Sequence, residues 1–115
     1  MQPITFSSSD ASVAAVYSRP VRMDSWAHAQ SVIQVKVTGS ATWTIQTSMD
    51  DPNSPTHPVA EGSMVWSDAL DANLVDETSN KSGVFNVTPT FVRIKQIDGS
   101  GSVTATIAQF GNATY

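Results

Sequence analysis

Acidic side chains are the groups in this sequence that could take part in the most kinds of chemistry. Most of them lie in the central part of the chain. Oxygen-rich loops can coordinate Ca²⁺, and two carboxylates at a suitable separation can serve a glycoside hydrolase as acid and base. Their spacing here is not that of an EF-hand, and aspartate and asparagine are also standard turn residues. We therefore predict turns, and no metal site, for Asp50, Asp51, Asn53, Asp68, Asp71, Asn73 and Asp76.

Serine, histidine and tryptophan provide no stronger catalytic pattern. The "GSGS" stretch lacks the G-x-S-x-G spacing of a hydrolase nucleophile and is typical of a turn. His28 and His57 are distant in sequence and have no metal-binding spacing, so zinc is not predicted. Trp43 is predicted to lie in a core, whereas Trp26 and Trp66 are core-edge or contact residues. We predict no enzymatic activity and no cofactor.

Length and composition narrow the class of protein. The 115 residues are enough for one domain, and 14% of them are charged, below the roughly 25% that is usual. A net charge of −4 with scattered basic residues argues against a nucleic-acid partner. There is no cysteine, and no stretch reads as a signal peptide or a membrane span. We expect the protein to be made in a cytoplasm and kept or assembled there.

Alternating hydrophobicity predicts an all-β fold with two hairpins. The first hairpin joins the strands "SVIQVKVTG" (31–39) and "TWTIQTSM" (42–49) through a Gly-Ser turn. The second joins "FVRIKQI" to "VTATIAQF" (91–110), with Gly99 or Gly101 supplying the positive φ of the turn. The predicted inner face of the 42–49 strand consists of Trp43, Ile45, Thr47 and Met49.

Two segments lack this alternation. Residues 1–18 are rich in serine and are predicted to form an extended N-terminal arm, followed by a single domain over 19–115. Residues 50–83 carry three prolines at a spacing of three, which exclude a helix or a central strand there. Long irregular loops on small β domains usually carry function or contact a neighbour.

Three motifs occur in a recognisable order. They are "ATWTIQTSMDDP", then "MVW", then "PTFVRIKQIDGSGSVTATIAQ", and together they cover about residues 41–110. This order resembles the strand-loop-strand signature of small virion proteins of tailed bacteriophages. The resemblance implies an antiparallel β-sandwich of jelly-roll type on the surface or at the joints of a phage particle, and it implies no catalytic residues.

The function expected from this resemblance is a non-enzymatic virion protein of the capsid decoration, or cement, type. We expect a homo-oligomer, with a trimer favoured, that binds the major capsid protein after assembly in the host cytoplasm. A weakly charged surface suits packing against a protein lattice, because buried unpaired charges are costly. The expected contact residues, from the arm and the loop, are Ile4, Phe6, Tyr17, Pro52, Pro55, His57, Pro58 and Trp66.

Three alternatives remain open. The first is a role in the phage tail, as an adaptor, tube or fibre-associated protein. The protein would still be part of the virion, but with few copies at one vertex. A carbohydrate-binding module is a different class, in which Trp26 or Trp66 would stack on a sugar. A calcium-dependent hydrolase built on the loop carboxylates is the third.

Overall fold

The computed structural model describes residues 3–23, 29–85 and 89–111, without the side chains of residues 29, 30, 110 and 111. Trp26 and His28 therefore lie outside the described residues. Within these ranges no helix has the length and apolarity needed to span a membrane. Two short 3₁₀ turns occur at Glu61–Ser63 and Ala72–Leu74. The strands are β1 (Ile4–Ser9), β2 (Val16–Tyr17), β3 (Val21–Arg22), β4 (Ala29–Thr38), β5 (Thr42–Ser48), β6 (Ser67–Asp68), β7 (Lys81–Phe85), β8 (Phe91–Asp98) and β9 (Ser102–Gly111).

These strands form two antiparallel sheets that pack face to face. The first, called the β4 sheet, has the order β1-β9-β4-β7. The second, called the β5 sheet, has the order β2-β8-β5-β6, and β3 continues along β8 beside β2. With β2 and β3 counted as one interrupted strand, this is an eight-stranded sandwich in jelly-roll order. The predicted antiparallel β-sandwich is confirmed.

Both predicted hairpins are wrong, because each turn crosses from one sheet to the other. β4 pairs with β9 and β7, whereas β5 pairs with β8 and β6. The alternation is the same whether the next strand lies beside its predecessor or opposite it, so the sequence pattern does not distinguish a hairpin from a crossing. The apolar faces still meet, but they do so across the core, where Ile33, Ile45, Ile94 and Ile107 are all fully buried.

The two crossings pack against each other at one end of the sandwich. The backbone N–H of Gly101 donates to the carbonyl of Ser40 at 2.8 Å, and Gly99 adopts the predicted positive φ, at 97°. A Cβ on Gly99 would overlap the carbonyl oxygen of Ser40. The buried Gln96 amide donates to the carbonyls of Gly99 and Gly101, at 3.1 and 2.9 Å. Close backbone approach therefore accounts for the glycines in this turn.

The N-terminal segment is part of the sandwich rather than an arm outside it. Residues 4–9 form β1, which pairs with β9 from Ile4 opposite Ile107 to Ser9 opposite Ser102. Phe6 is buried in the core, and Ile4 packs at its edge. The hydroxyl of Ser8 donates to Gln96 Oε1 at 2.9 Å. In this serine-rich segment every second side chain points toward the core, and this is enough for it to form an edge strand.

The central strand β5 is covered on both sides. Trp43 and Ile45 are fully buried in the core, as predicted. Thr44, Gln46 and Ser48 point away from the core, yet they are also buried. The 50–80 segment folds back over them, and for example the amide of Asp76 donates to Thr44 Oγ1 at 2.9 Å. The prediction that Met49 belongs to the inner face is wrong, because β5 ends at Ser48 and leaves Met49 68% exposed.

Candidate interaction surface

The outer face of the β5 sheet gathers the aromatic and basic side chains. Strand register places Gln46 opposite Arg93, Tyr17 opposite Lys95, and Arg22 opposite Phe91. Residues directly opposite each other project from the same side of a sheet, so all of these side chains share one face. We call this surface the arginine face, and it consists of Tyr17, Arg22, Gln46, Asp51, Trp66, Asp68, Phe91, Arg93 and Lys95.

Arg93 lies at the centre of the arginine face. Its guanidinium carbon is 4.2 Å from the ring centroid of Tyr17 and 4.2 Å from that of Trp66, which is cation–π contact distance. Its Nε and one terminal nitrogen donate to Gln46 Oε1 at 3.0 and 2.8 Å. The Gln46 amide in turn donates to Asp68 at 3.4 Å. Burial lowers the pKa of Arg93 from its ordinary value, but arginine keeps its charge at any physiological pH.

A second arginine anchors the proline-rich loop to the same face. Arg22 makes a bidentate ion pair with Asp51, at 2.9 and 2.6 Å, and lies 4.7 Å from the ring centroid of Phe91. The hydrogen bond from Arg22 lowers the pKa of Asp51 to about 2, helped by the amide of Asn53. The same contact raises the pKa of Arg22. Bidentate arginine–carboxylate geometry fixes orientation as well as charge.

Asp51 also closes the loop that follows it. Its carbonyl accepts hydrogen bonds from the amides of Ser54 at 3.3 Å and Val59 at 3.1 Å, so the chain returns to its starting point. Pro55, His57 and Pro58 in this loop are exposed. This loop, residues 52–58, therefore extends from a fixed base beside the arginine face.

The remaining loop carboxylates accept hydrogen bonds from within the protein. Asp71 accepts from the amide of Asn73 at 3.0 Å and caps the 3₁₀ turn at Ala72–Leu74. Asp50 accepts from the amide of Val65 at 2.6 Å. Among the described residues, no group of three His, Asp or Glu side chains is arranged to hold a metal ion. Asp71 is the local turn group that the sequence predicted, whereas Asp50 joins two parts of the loop that are 15 residues apart.

The structure brings together some of the predicted contact residues and separates others. Tyr17 and Trp66, distant in sequence, meet at Arg93. The predicted loop residues, Pro52, Pro55, His57 and Pro58, lie on the loop closed by Asp51, whose carboxylate pairs with Arg22 of the same face. Ile4 and Phe6 belong to the other sheet, and Phe6 is only 3% exposed. Phe6 is therefore a core residue, not a surface contact.

Sequence reasoning missed the residues that organise this surface. Arg93 was visible only as half of a basic pair with Lys95 on one strand face, and Arg22 carried no signal beyond its charge. The tyrosine of β2, the arginine of β8 and the tryptophan before β6 become neighbours only through the strand order of the β5 sheet. A partial signal was the alternation Phe91, Arg93, Lys95, which indicates an outward face that carries an aromatic ring.

Comparisons of the chain with protein-family models, with curated proteins and with solved structures find no match.

Proposed function

We propose that this is a non-enzymatic structural protein that binds another protein through the arginine face. One observation carries the proposal, namely that Arg93 is held against both Tyr17 and Trp66 on an outer sheet face. Tryptophan, tyrosine and arginine are the residues most enriched at the energetic centres of protein interfaces. Because Gln46 holds the guanidinium in place, little side-chain entropy is lost when a partner covers it.

The specific role we propose is capsid decoration, with the major capsid protein as the partner and a trimer as the bound form. The ordered motifs that resemble phage virion proteins support this role, and jelly rolls are common in viral capsid proteins. The fold alone is compatible with many functions, so the argument from fold is one of analogy. The exposed loop 52–58 extends the contact area beyond the sheet face.

The test is cosedimentation of the purified protein with shells that lack it, assembled from the major capsid protein of the same virus. The expected result is a defined oligomer that binds at hundreds of copies per shell. Trp66→Ala should weaken binding at least tenfold, because it removes a central aromatic contact. Val13→Ser, at an exposed position that is not part of the arginine face, is the matched control and should bind as the wild type does.

Two other outcomes separate the alternatives. A few copies per particle, located at one vertex, would indicate that the protein belongs to the tail. No binding to shells or tails by the wild-type protein would refute the virion role. Binding that is unchanged in both Trp66→Ala and Arg93→Ala would refute the arginine face as the contact surface, whatever the partner is.

A carbohydrate-binding role is favoured by one observation. Tyr17 is 50% exposed and Trp66 is partly exposed, and the polar groups of Gln46 and Asp68 lie next to them. Aromatic rings beside amide and carboxylate groups can bind sugars, and jelly rolls also occur among lectins. Glycan binding by the isolated protein that is lost in Trp66→Ala, without any binding to shells, would establish this role.

A further inference from the structure

A second surface lies on the open side of the sandwich, next to the arginine face, with which it shares Asp68. Here β7 ends the β4 sheet and β6 ends the β5 sheet, and a cleft of about 620 Å³ lies between them. The end of β5 contributes Thr47 and Ser48 to its lining. A volume of this size is typical of a binding pocket rather than of a packing defect.

The walls of the cleft are apolar and exposed. Met49, Val65, Leu70 and Val84 all line it, and each is at least half exposed. They make up four of the seven large hydrophobic side chains that are exposed in the described part of the chain. Exposed apolar residues are normal when they are scattered, but a cluster around one concave site marks an interaction surface.

The charge of the cleft restricts its occupant. Asp50, Asp68 and Asp71 line it, and no lysine or arginine is among the described lining residues. Two of these carboxylates are held by backbone amides, Asp50 by that of Val65 and Asp71 by those of Asn73 and Val84. An anionic lipid or a nucleic acid is therefore disfavoured as the occupant. An occupant that carries cationic groups beside apolar ones complements the charge and the apolar walls of the cleft.

The backbone at the rim favours an extended peptide. Asp68 pairs with Gln46, and the flanking Ala69 amide donates to the carbonyl of Ile45 at 2.9 Å. Because successive residues of a strand point their backbone groups to opposite sides, those of Asp68 point away from β5. No strand covers that side of β6 in the described part of the chain. An added strand could pair there and place alternate side chains in the cleft.

We propose that this cleft binds an extended segment of a partner protein that carries apolar side chains at alternate positions with lysine or arginine between them. This inference does not depend on the arginine face or on the virion role. It gives the protein a second contact surface of a different kind, which would let one copy join two neighbours.

The probes are three short peptides with blocked ends, and the readout is fluorescence anisotropy with the full-length protein. The first alternates valine with lysine, the second alternates valine with glutamate, and the third alternates serine with lysine. We expect the valine-lysine peptide to bind, and each of the other two to bind at least tenfold more weakly. Absence of binding by the valine-lysine peptide, or equal binding by the glutamate peptide, would overturn the proposal.

Variants locate the binding site. Leu70→Ser and Val65→Ser change exposed side chains on the cleft wall and should each weaken the valine-lysine peptide at least fivefold. Val13→Ser removes an exposed apolar side chain that does not line the cleft and should bind normally. Circular dichroism and urea unfolding confirm that each variant is folded. Equal binding by all variants would place the peptide elsewhere and refute the proposal.

A second copy of the chain is the competing occupant. If the wild-type protein self-associates in sedimentation and Leu70→Ser makes it monomeric, the cleft is an interface between copies and the peptide proposal is refuted. If the oligomeric state is the same in wild type and Leu70→Ser while peptide binding is lost, the proposal is supported.

Discussion

The two outer faces of the sandwich carry similar polar sequences but have different structures. On the β4 sheet, Thr5, Thr106, Gln34 and Ser82 form one row across the four strands and stay at least partly open to solvent. On the β5 sheet, the corresponding positions Thr44, Gln46 and Ser48 are buried under the 50–80 segment. The outer face of the β4 sheet is therefore a polar surface open to solvent, which we call the hydroxyl face. The outer face of the β5 sheet is a layer of polar and aromatic side chains covered by the 50–80 segment.

Two basic residues show the contrast most clearly. Lys36 on β4 and Arg93 on β8 both point outward from within a long strand. Lys36 is exposed, whereas Arg93 contacts two rings and an amide oxygen. The neighbouring strands and the covering loop, and not the strand's own sequence, therefore decide whether an outward-pointing charged side chain is solvated or held by protein contacts.

The largest effect is expected where the two sheets are joined. Gly99→Ala should destabilise the protein by roughly 3 kcal/mol, because an L-residue at positive φ is strained and its Cβ meets the Ser40 carbonyl. Urea unfolding followed by tryptophan fluorescence measures this change, and both outer faces should be lost together. Gly62→Ala is the control, since its Cβ meets nothing within 4 Å and its effect should stay within about 0.5 kcal/mol. Equal stabilities of the two variants would contradict the packed crossing.

A smaller effect should separate the two faces. Arg93→Ala is expected to cost about 1–2 kcal/mol, because it removes two cation–π contacts and leaves Gln46 Oε1 without its donor. Lys36→Ala on the open face should change stability by less than about 0.5 kcal/mol. The free energy of unfolding from urea titrations gives both values. Similar costs for the two variants would mean that the arginine face is no more organised than the hydroxyl face.

The smallest effect concerns the loop at the edge of the arginine face and depends on pH. The pKa of Asp51 is lowered from 3.8 to about 2 in the folded protein, so its ion pair with Arg22 favours folding above pH 3.8. That contribution is lost as the pH falls through about 2. The titration of the Asp51 carboxyl carbon by NMR measures the pKa directly.

Two variants complete this pH test. Arg22→Gln should return the pKa of Asp51 toward 3.8, and Asp51→Asn should remove this part of the acid dependence of stability. Because the pair is exposed to solvent and screened by salt, the change in stability at neutral pH should be small. An Asp51 that titrates near 3.8 in the wild-type protein would contradict the ion pair as described.

The fold class was predictable from local pattern, and the pairing was not. Alternation at Ile33, Val35, Trp43 and Ile45 indicates half-buried strands whichever partner they meet. The crossings at Gly39 and Gly99 have the glycines of a tight turn, so they are read as hairpins. In the same way, the serine-rich residues 4–9 look like an arm until β9 supplies a partner.

The candidate site was predictable only in fragments. The irregular loop was predicted from its prolines, and Tyr17 and Trp66 were each predicted separately to be contact residues. Their meeting at Arg93, and the clustering of Met49, Val65, Leu70 and Val84 at one cleft, depend on strands that are far apart in sequence.

The amino-acid sequence was sufficient for the all-β class, the buried tryptophan on β5, a positive φ at Gly99 or Gly101 and the irregular proline loop, because each follows from residues close together along the chain. The tertiary structure alone decided which strands share a sheet, which outward faces are covered and where the two candidate surfaces lie. The physical reason is that a strand's period of two specifies its buried side but not its neighbour, and here the neighbours are chosen by packing across the core.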